Sequence, residues 1–489
     1  MTETLQTDVV VIGAGAVGEN AADRVVRGGL TAVLVEADLV GGECSYWACM
    51  PSKALLRPGT VLQEARSVAG AREAVTGTLD AAAVLDRRDT FTSHWDDAGQ
   101  AEWVAGAGIE LVRGRARLAG EREVEVETNS GGTLRIGARH AVILATGSVP
   151  STPPLDGLET VDFWGTREAT SAREVPGRLV VIGGGVSGVE LAQAYARLGS
   201  QVTLLARGPL LKSFPKAARA LVEQGLKADG VDVRTHTSPA SVRKSDDGGV
   251  ELQIDGGGTV SGDRLLVSTG RHPALEGLGL EELGLGTRKL ETDDTGRVAG
   301  IDGGWLYAVG DAAGKVLLTH QGKYEARATG DVIAARAAAS GAGNTPGGST
   351  GTGTDDSAAP GNWSRYAATA DRLAVPQVVF TDPEVALVGR TLEQARADGV
   401  NASETSLDIA VAGSSLYADD YRGWAQMVVD EDRKVLVGVT FAGPGVSELL
   451  QAATIAITGE VPLDRLWHAV PAYPTISEVW LRLLEKYGM

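Results

Sequence analysis

Asp8-Val9-Val10-Val11-Ile12-Gly13-Ala14-Gly15-Ala16-Val17-Gly18 joins an apolar run directly to three spaced glycines. A run with no polar alternation is what a strand buried on both faces of a parallel sheet requires. A helical stretch follows through Val26, and Thr31–Val35 reads as a second strand ending in Glu36. Strand, Gly13-x-Gly15-x-x-Gly18, helix, strand and terminal acid are the parts of a dinucleotide-binding βαβ unit. The glycines allow a tight turn and bring backbone N–H groups to a pyrophosphate at the helix N-terminus. Glu36 would accept hydrogen bonds from a ribose.

The unit recurs downstream. Arg178–Ile182 leads into Gly183-x-Gly185-x-x-Gly188, a helix through Leu198 and a strand over Gln201–Leu205. Here the second strand ends in Ala206–Arg207 instead of an acid. A guanidinium without a carboxylate suits a ribose 2′-phosphate better than a free 2′-hydroxyl, and Lys212 would add a second cation. Two such units imply two nucleotides, and hydride chemistry pairs FAD with NADPH, NADH being the less suited donor.

Working outward, the 489 residues comprise 43 % hydrophobic and 22 % charged side chains, enough for a large core. The formal net charge of −18 argues against nucleic-acid and anionic-membrane partners. No apolar run has the length of a membrane span, about 18–20 residues, and the first eight residues do not read as a secretory signal. The expectation is a cytoplasmic protein. Cys44 and Cys49 are the two cysteines of the chain, so neither a disulfide scaffold nor a cysteine-rich metal site is expected. Residues 52–107 read as mainly helical. Apolar strands close each unit at Ala141–Gly147 and Arg264–Gly270, and Trp305–Asp311 reads as a further strand. The expected fold class is α/β, with two Rossmann-like dinucleotide-binding domains and a C-terminal α+β domain; the resemblance carried by the motifs that follow implies that this last is a dimerisation domain. The expected division is an FAD-binding domain over 1–160 and 276–338, an NAD(P)H-binding domain over 161–275, a Gly/Ser/Thr-rich flexible insertion over 339–364, and the dimerisation domain over 365–489.

Further motifs carry a resemblance. Gly41-Gly42-Glu43-Cys44-x-x-x-x-Cys49-Met50-Pro51-Ser52-Lys53, Ala145-Thr146-Gly147-Ser148 and Thr269-Gly270-Arg271-His272-Pro273 occur in that order. Ala308-Val309-Gly310-Asp311, Phe380-Thr381-Asp382-Pro383-Glu384 and Pro474-Thr475-Ile476-Ser477-Glu478 follow. Together with both glycine turns, the chain resembles the flavoprotein pyridine nucleotide–disulfide oxidoreductases, the family of glutathione reductase, dihydrolipoamide dehydrogenase and mercuric reductase. The resemblance implies a redox-active Cys44–Cys49 disulfide, with Cys49 as the charge-transfer thiolate beside the flavin and Cys44 as the exchange thiol. A regular helix rises about 7.5 Å over five residues, beyond the roughly 7 Å between bridged Cα atoms, so that bond needs a distorted turn. The family likeness also implies a Lys53–Glu190 ion pair beside flavin N5. Asp311 would hold the ribityl chain, and a helix from about Leu318 would point its N-terminus at the flavin. Gly42, Thr146, Gly147, Gly270 and Arg271 join Gly13, Gly15, Gly18, Glu36, Gly183, Gly185, Gly188, Arg207 and Lys212 as cofactor-binding candidates. No metal ligand set is expected. His320 reads as a capping or surface residue.

Departures from the family pattern bear on the electron acceptor. The family's base, a His five residues before Glu478, is Tyr473 here; a phenol donates a proton but is no base near neutral pH. His468 lies five residues further upstream and would serve only in an unusual loop. Mercuric reductase also has Tyr at this place, yet the C-terminal cysteine pair of that enzyme is absent. Between the cysteines, Tyr46 and Trp47 would either stack on a flat substrate or pack under FAD. The expected activity is NADPH-dependent reduction of a small disulfide or related acceptor. The alternatives are a quinone or metal-ion reductase, or a flavin redox sensor of low turnover. A homodimer is implied, with Tyr473 and Glu478 facing Cys44 of the other subunit.

Overall fold

The computed structural model describes residues 3–342 and 360–489. Most of the insertion expected over 339–364 lies outside the described residues. The chain divides into two units, one made of Met1–Cys49, Thr92–Val149 and Arg271–Asp371, the other of Met50–Phe91, Pro150–Gly270 and Arg372–Met489.

In the first unit, five strands form a parallel sheet in the order Glu110–Gly120, Ala32–Glu36, Glu3–Ile12, Thr133–Leu144 and Leu306–Ala308. Alternate residues of each strand face opposite sides, and both sides are covered. Val10, Ile12, Val33, Val35, Val142 and Leu144 pack on one face. Val9, Val11, Leu34 and Ile143 pack on the other with Ala21, Ala22 and Val25 of the helix Ala16–Arg27. This double burial is why the strands read as unbroken apolar runs. The first strand starts at Glu3, earlier than its apolar core, because it pairs along its length with the strand Thr133–Leu144. The expected strand over Trp305–Asp311 is shorter, Leu306–Ala308, because Gly310 takes φ +62 and opens a single turn of 3-10 helix over Gly310–Ala313. A 24-residue helix, Thr319–Ala342, follows. Arg24 of the first helix pairs with its Asp331 at 2.6 Å.

In the second unit, Arg264–Val267, Arg178–Ile182, Gln201–Ala206 and Asp232–Thr235 make a four-stranded parallel sheet. Its crossover helix, Val186–Arg197, buries Val189, Leu191, Ala192 and Tyr195 against Leu179, Val181 and Leu204. The buried Tyr195 hydroxyl donates to the Ala169 carbonyl at 2.6 Å. The C-terminal part is a five-stranded antiparallel sheet in the order Pro376–Val379, Glu384–Gly389, Val435–Gly443, Trp424–Asp430 and Ala402–Asp408. The helices Leu450–Thr458 and Val479–Tyr487 accompany it. Among the described residues no helix is long and apolar enough to cross a membrane.

Candidate active site

The first glycine turn is closed by contacts that leave no room for a side chain. Gly13 has φ +101, and a Cβ on Gly18 would stand 1.8 Å from the Gly13 carbonyl oxygen. The helix Ala16–Arg27 starts on Gly15 in extended conformation with no side-chain cap, so its first-turn N–H groups remain available to an anion. Gly15 also bridges to Gly41, and a Cβ on Gly42 would come within 2.8 Å of the Gly15 Cα. At the end of the second strand, Glu36 accepts the Ala14 N–H on Oε2 and the Asp38 N–H on Oε1, each at 2.7 Å. Burial raises its carboxyl above the ordinary range, and the two N–H groups oppose the shift. Each oxygen keeps a lone pair for a ribose hydroxyl. In the first turn of the helix, Glu19 is buried with no donor on Oε1, and burial pushes it up to about 7, with Lys323 opposing. A cradle closed to side chains, a capless helix end and a fixed ribose acceptor fit the adenosine diphosphate part of FAD.

Four of the recognised motifs meet in one hydrogen-bond network in this unit. Arg271 donates from Nε to Ser148 Oγ at 2.8 Å and from its terminal nitrogen to the Ser148 carbonyl at 2.7 Å, and pairs with Glu43. Ser148 Oγ in turn donates to Asp311. Burial raises the Asp311 carboxyl, while Ser148 and Arg271 hold it down. Thr146 spends its hydroxyl on the Ala274 carbonyl at 2.8 Å, and Gly147 turns the chain at φ +74. The structure thus places Arg271 as a brace between Glu43, the residue before Cys44, and the Ser148–Asp311 pair.

The cysteines do not share a helix. Cys44 lies on the short helix Gly42–Tyr46, which ends at Trp47 with φ −138, and Cys49 begins the helix Cys49–Arg66. The Trp47 and Ala48 N–H groups both fold back onto the Glu43 carbonyl. This break, and not a distorted first turn of one helix, brings the sulfurs together: Cys44 and Cys49 are hydrogen-bonded thiols with no covalent bond between them. Thr319, first residue of the helix Thr319–Ala342, lies 3.3 Å by Oγ1 from Cys49 Sγ. The Cys44 thiol is raised, first by its hydrogen bond to Cys49, then by burial and by negative charge on Cys49; Thr319 and Lys323 oppose the shift. The shift holds the proton on Cys44, and Cys49 is the first residue of its helix, a place where backbone N–H groups favour a thiolate. Tyr46 is 2 % exposed and its carbonyl accepts the Trp95 indole N–H at 3.1 Å. Such burial removes it from stacking on a substrate; its ring packs against Trp47 at 5.7 Å.

Within the second unit, Lys53 Nζ donates to Glu190 Oε2 at 2.7 Å and to Ser52 Oγ at 3.3 Å. Glu190 is buried on the helix Val186–Arg197 and its other oxygen accepts the Phe380 N–H at 2.8 Å. The Phe380 ring lies under the ammonium, 5.0 Å from Nζ to centroid. The second glycine turn matches the first: Gly183 has φ +127, Gly185 caps the helix in extended conformation, and a Cβ on Gly188 would meet the Gly183 carbonyl oxygen at 2.1 Å. Gly270 has φ +125, and its carbonyl accepts the Ser151 N–H at 2.9 Å. Arg207 and Lys212 are both exposed. Tyr473 is 77 % exposed, whereas Glu478 is buried and engaged by Arg482 at 2.7 Å. His468 is exposed.

The sequence reading missed Thr319, Phe380, Glu43 and Ser148 as functional partners. The last three stood inside recognised motifs; only the helix start expected near Leu318 pointed to Thr319. Among the described residues no cluster of three or more His, Cys, Asp and Glu side chains could hold a metal ion.

Two glycine-turn folds, a paired-thiol centre at a helix N-terminus and an antiparallel C-terminal sheet define a two-nucleotide thiol–disulfide oxidoreductase. Residues 7–330 match the family described as pyridine nucleotide-disulphide oxidoreductase, and residues 375–483 match its dimerisation domain. The chain is 33 % identical to a dihydrolipoyl dehydrogenase of Thermus scotoductus over 96 % of this chain and 95 % of that one. It is 30 % identical to a mercuric reductase of Acidithiobacillus ferrooxidans over 96 % and 80 %. In fold it is similar to the HOCl-induced flavoprotein disulfide reductase RclA of Escherichia coli, solved as a Cu(II) complex, with TM-score 0.80, 22 % identity and 99 % of each chain covered. The chain belongs to the pyridine nucleotide–disulfide oxidoreductase family and is an oxidoreductase. The family is FAD-dependent and uses a pyridine nucleotide.

Proposed function

We propose that this protein uses NADPH and FAD to reduce a small disulfide through Cys44 and Cys49. The meeting of the two sulfurs beside Thr319 carries the reading. When bound, the flavin supplies two-electron transfer between a hydride donor and a sulfur pair. Gly13, Gly15, Gly18, Gly42 and Glu36 would hold its adenosine diphosphate and Asp311 its ribityl chain. Lys53, oriented by Glu190 and Phe380, would place a positive charge at the ring. Gly183, Gly185 and Gly188 would hold the nicotinamide dinucleotide, with Arg207 and Lys212 on the 2′-phosphate.

In the sulfur chemistry, Cys44 attacks one sulfur of the substrate, forming a mixed disulfide as the substrate bond breaks. Its proton passes across the hydrogen bond to Cys49 and on to the departing thiol. Cys49, again a thiolate, attacks the Cys44 sulfur; the second substrate thiolate leaves and a Cys44–Cys49 bond forms. The protein pair is oxidised and the substrate is reduced by the same two electrons. Tyr473, exposed on the C-terminal part, suits donation to a departing thiolate from a second copy of the chain. Exposed Leu416, Ile455 and Val470 supply apolar surface for that copy, in keeping with the dimerisation domain. Because Tyr473 replaces an imidazole base, a metal-ion or quinone substrate is the second reading.

The experiment is NADPH oxidation with a panel of disulfides, quinones and metal ions, comparing wild type with Cys44→Ser. Disulfide turnover should fall at least about 100-fold in the variant, as expected when a nucleophile is lost. Full disulfide turnover without Cys44 would overturn the reading, and turnover confined to quinones or metal ions would establish the second one.

A further inference from the structure

A pair of carboxyl groups, Glu325 and Asp371, lies in the first unit outside the machinery described above. Glu325 sits on the helix Thr319–Ala342 and is 4 % exposed. Its Oε2 accepts the Gly310 N–H at 2.7 Å, and Gly310 opens the turn that carries Asp311. Asp371 accepts the Gln321 amide on Oδ1 at 2.7 Å, from the same helix. The remaining oxygens, Glu325 Oε1 and Asp371 Oδ2, are buried and receive no hydrogen from any other described group. Gln321 and Glu325 stand one helical turn apart, so the Asp371 carboxyl held by Gln321 lies beside that of Glu325, and each shifts the titration of the other. Two carboxylates hold only acceptors, so this contact requires a proton between them.

We propose that Glu325 and Asp371 share one buried proton and, through the Gly310 N–H, position the Gly310–Asp311 turn, so that flavin retention follows the protonation of this pair. The inference rests on the reading of Asp311 as the residue that would hold the ribityl chain. Glu325 and Asp371 are positioning residues and touch no substrate.

The charged surroundings favour one proton over none. Burial and the facing Asp371 carboxylate push Glu325 up to about 8, and burial pushes Asp371 up to about 6. Gly310 N–H and the Lys315 ammonium act in the other direction on Glu325. On Asp371, Gln321 and Lys315 oppose the shift and Asp294 adds to it. Tyr324, from the helix, donates its hydroxyl to Ala367 and accepts the Ala370 N–H, and its own titration is raised by burial and by Asp371 and Asp294. Arg327 opposes the shift of Tyr324. An acid raised from 4.5 to about 8 on folding contributes stability that is complete below 4.5. That stability is lost as pH rises through about 8, because the folded state binds the proton more tightly than the unfolded chain. Above that pH two buried carboxylates face each other, and the turn they brace should loosen.

The test uses the holoenzyme, with flavin recovered in the ultrafiltrate as the readout, in wild type, Glu325→Gln and Asp371→Asn. A side-chain amide donates the missing hydrogen bond at every pH. Wild type should release flavin roughly 10-fold more readily at about pH 9 than at about pH 6, while each amide variant should vary less than about 2-fold. The infrared difference between wild type and Glu325→Gln at neutral pH should contain the carbonyl band of one protonated carboxylic acid, separate from that of Glu19, which both proteins keep. Equal pH profiles in all three proteins, or no such difference band, would overturn the proposal. If wild type bound no flavin at any pH while the band was present and removed by Glu325→Gln, the shared proton would stand, and the reading of Asp311 as a flavin ligand would fall together with the flavin dependence.

Discussion

The two glycine turns have nearly the same backbone and opposite chemistry at the end of the second strand. In both, the first glycine has positive φ, the second caps a helix in extended conformation, and the third lies against the carbonyl of the first. At Glu36 a carboxylate is locked by two backbone N–H groups; at Arg207 an exposed guanidinium takes the equivalent place. On the proposed reading, the backbone would recognise what dinucleotides have in common, the pyrophosphate, and one side chain would tell one ribose from another. Rigidity differs too. Glu36 is fixed by two backbone N–H groups, so little ordering cost would remain on binding, whereas the exposed Arg207 would have to be ordered by the ligand proposed for it.

The equivalence of the backbones can be broken with one atom in each turn. Gly18→Ala puts a Cβ 1.8 Å from the Gly13 oxygen, and Gly188→Ala puts one 2.1 Å from the Gly183 oxygen. Overpacking of this kind costs about 1–3 kcal/mol, and neither backbone can yield without moving the helix off its strand. Gly18→Ala should lose flavin on purification and lower the melting temperature. Gly188→Ala should keep its yellow colour and raise KM for NADPH by roughly 10-fold or more. Both are read by absorbance and steady-state kinetics. Loss of flavin from Gly188→Ala would mean that the two turns do not serve separate nucleotides.

The side-chain half of the comparison predicts a smaller effect. Arg207→Glu recreates at the second turn the chemistry of Glu36. A hydrogen bond to a charged group contributes about 1.5–3 kcal/mol, so the ratio of kcat/KM for NADPH to that for NADH should fall by roughly 10- to 150-fold, with NADH turnover kept or improved. An unchanged ratio would remove NADPH preference from Arg207.

The same contrast explains what was legible in the chain. Glycine turns and double-faced strands write themselves into consecutive residues, so both glycine-turn βαβ folds could be read directly. The Lys53–Glu190 pair, 137 positions apart, was readable only through resemblance, and the 2.7 Å contact joins it. The break at Trp47 was legible as a need, since five helical residues hold sulfurs apart, but not as a place. Tyr46 was left open between stacking on a flat substrate and packing under FAD, and the structure buries it in the protein interior. Thr319 was marked only by an expected helix start and Phe380 only by its motif, and the Glu325–Asp371 pair was silent, because no local periodicity records a contact made by folding. The Arg271 brace was visible as a motif, yet its partners Glu43 and Ser148 are 228 and 123 positions away.

Lys212 gives the finest test of the division between backbone and side chain. Like Arg207 it is exposed, but an ammonium on a flexible stem makes a point-charge contact with a phosphate, not a forked pair of hydrogen bonds. Exposed charge pairs contribute about 0.2–1 kcal/mol, so Lys212→Ala should lower the NADPH-to-NADH ratio by roughly 2- to 5-fold. Since screening acts within about 10 Å at 0.1 M salt and about 3 Å at 1 M, this difference should disappear near 1 M salt. The Arg207 effect, which has geometry as well as charge, should persist in part. Measuring both variants at both salt concentrations separates the two contributions: if the Lys212 effect resists salt, then Lys212 is held against the phosphate in a fixed hydrogen bond, and the second turn is more ordered on binding than its exposed cations imply.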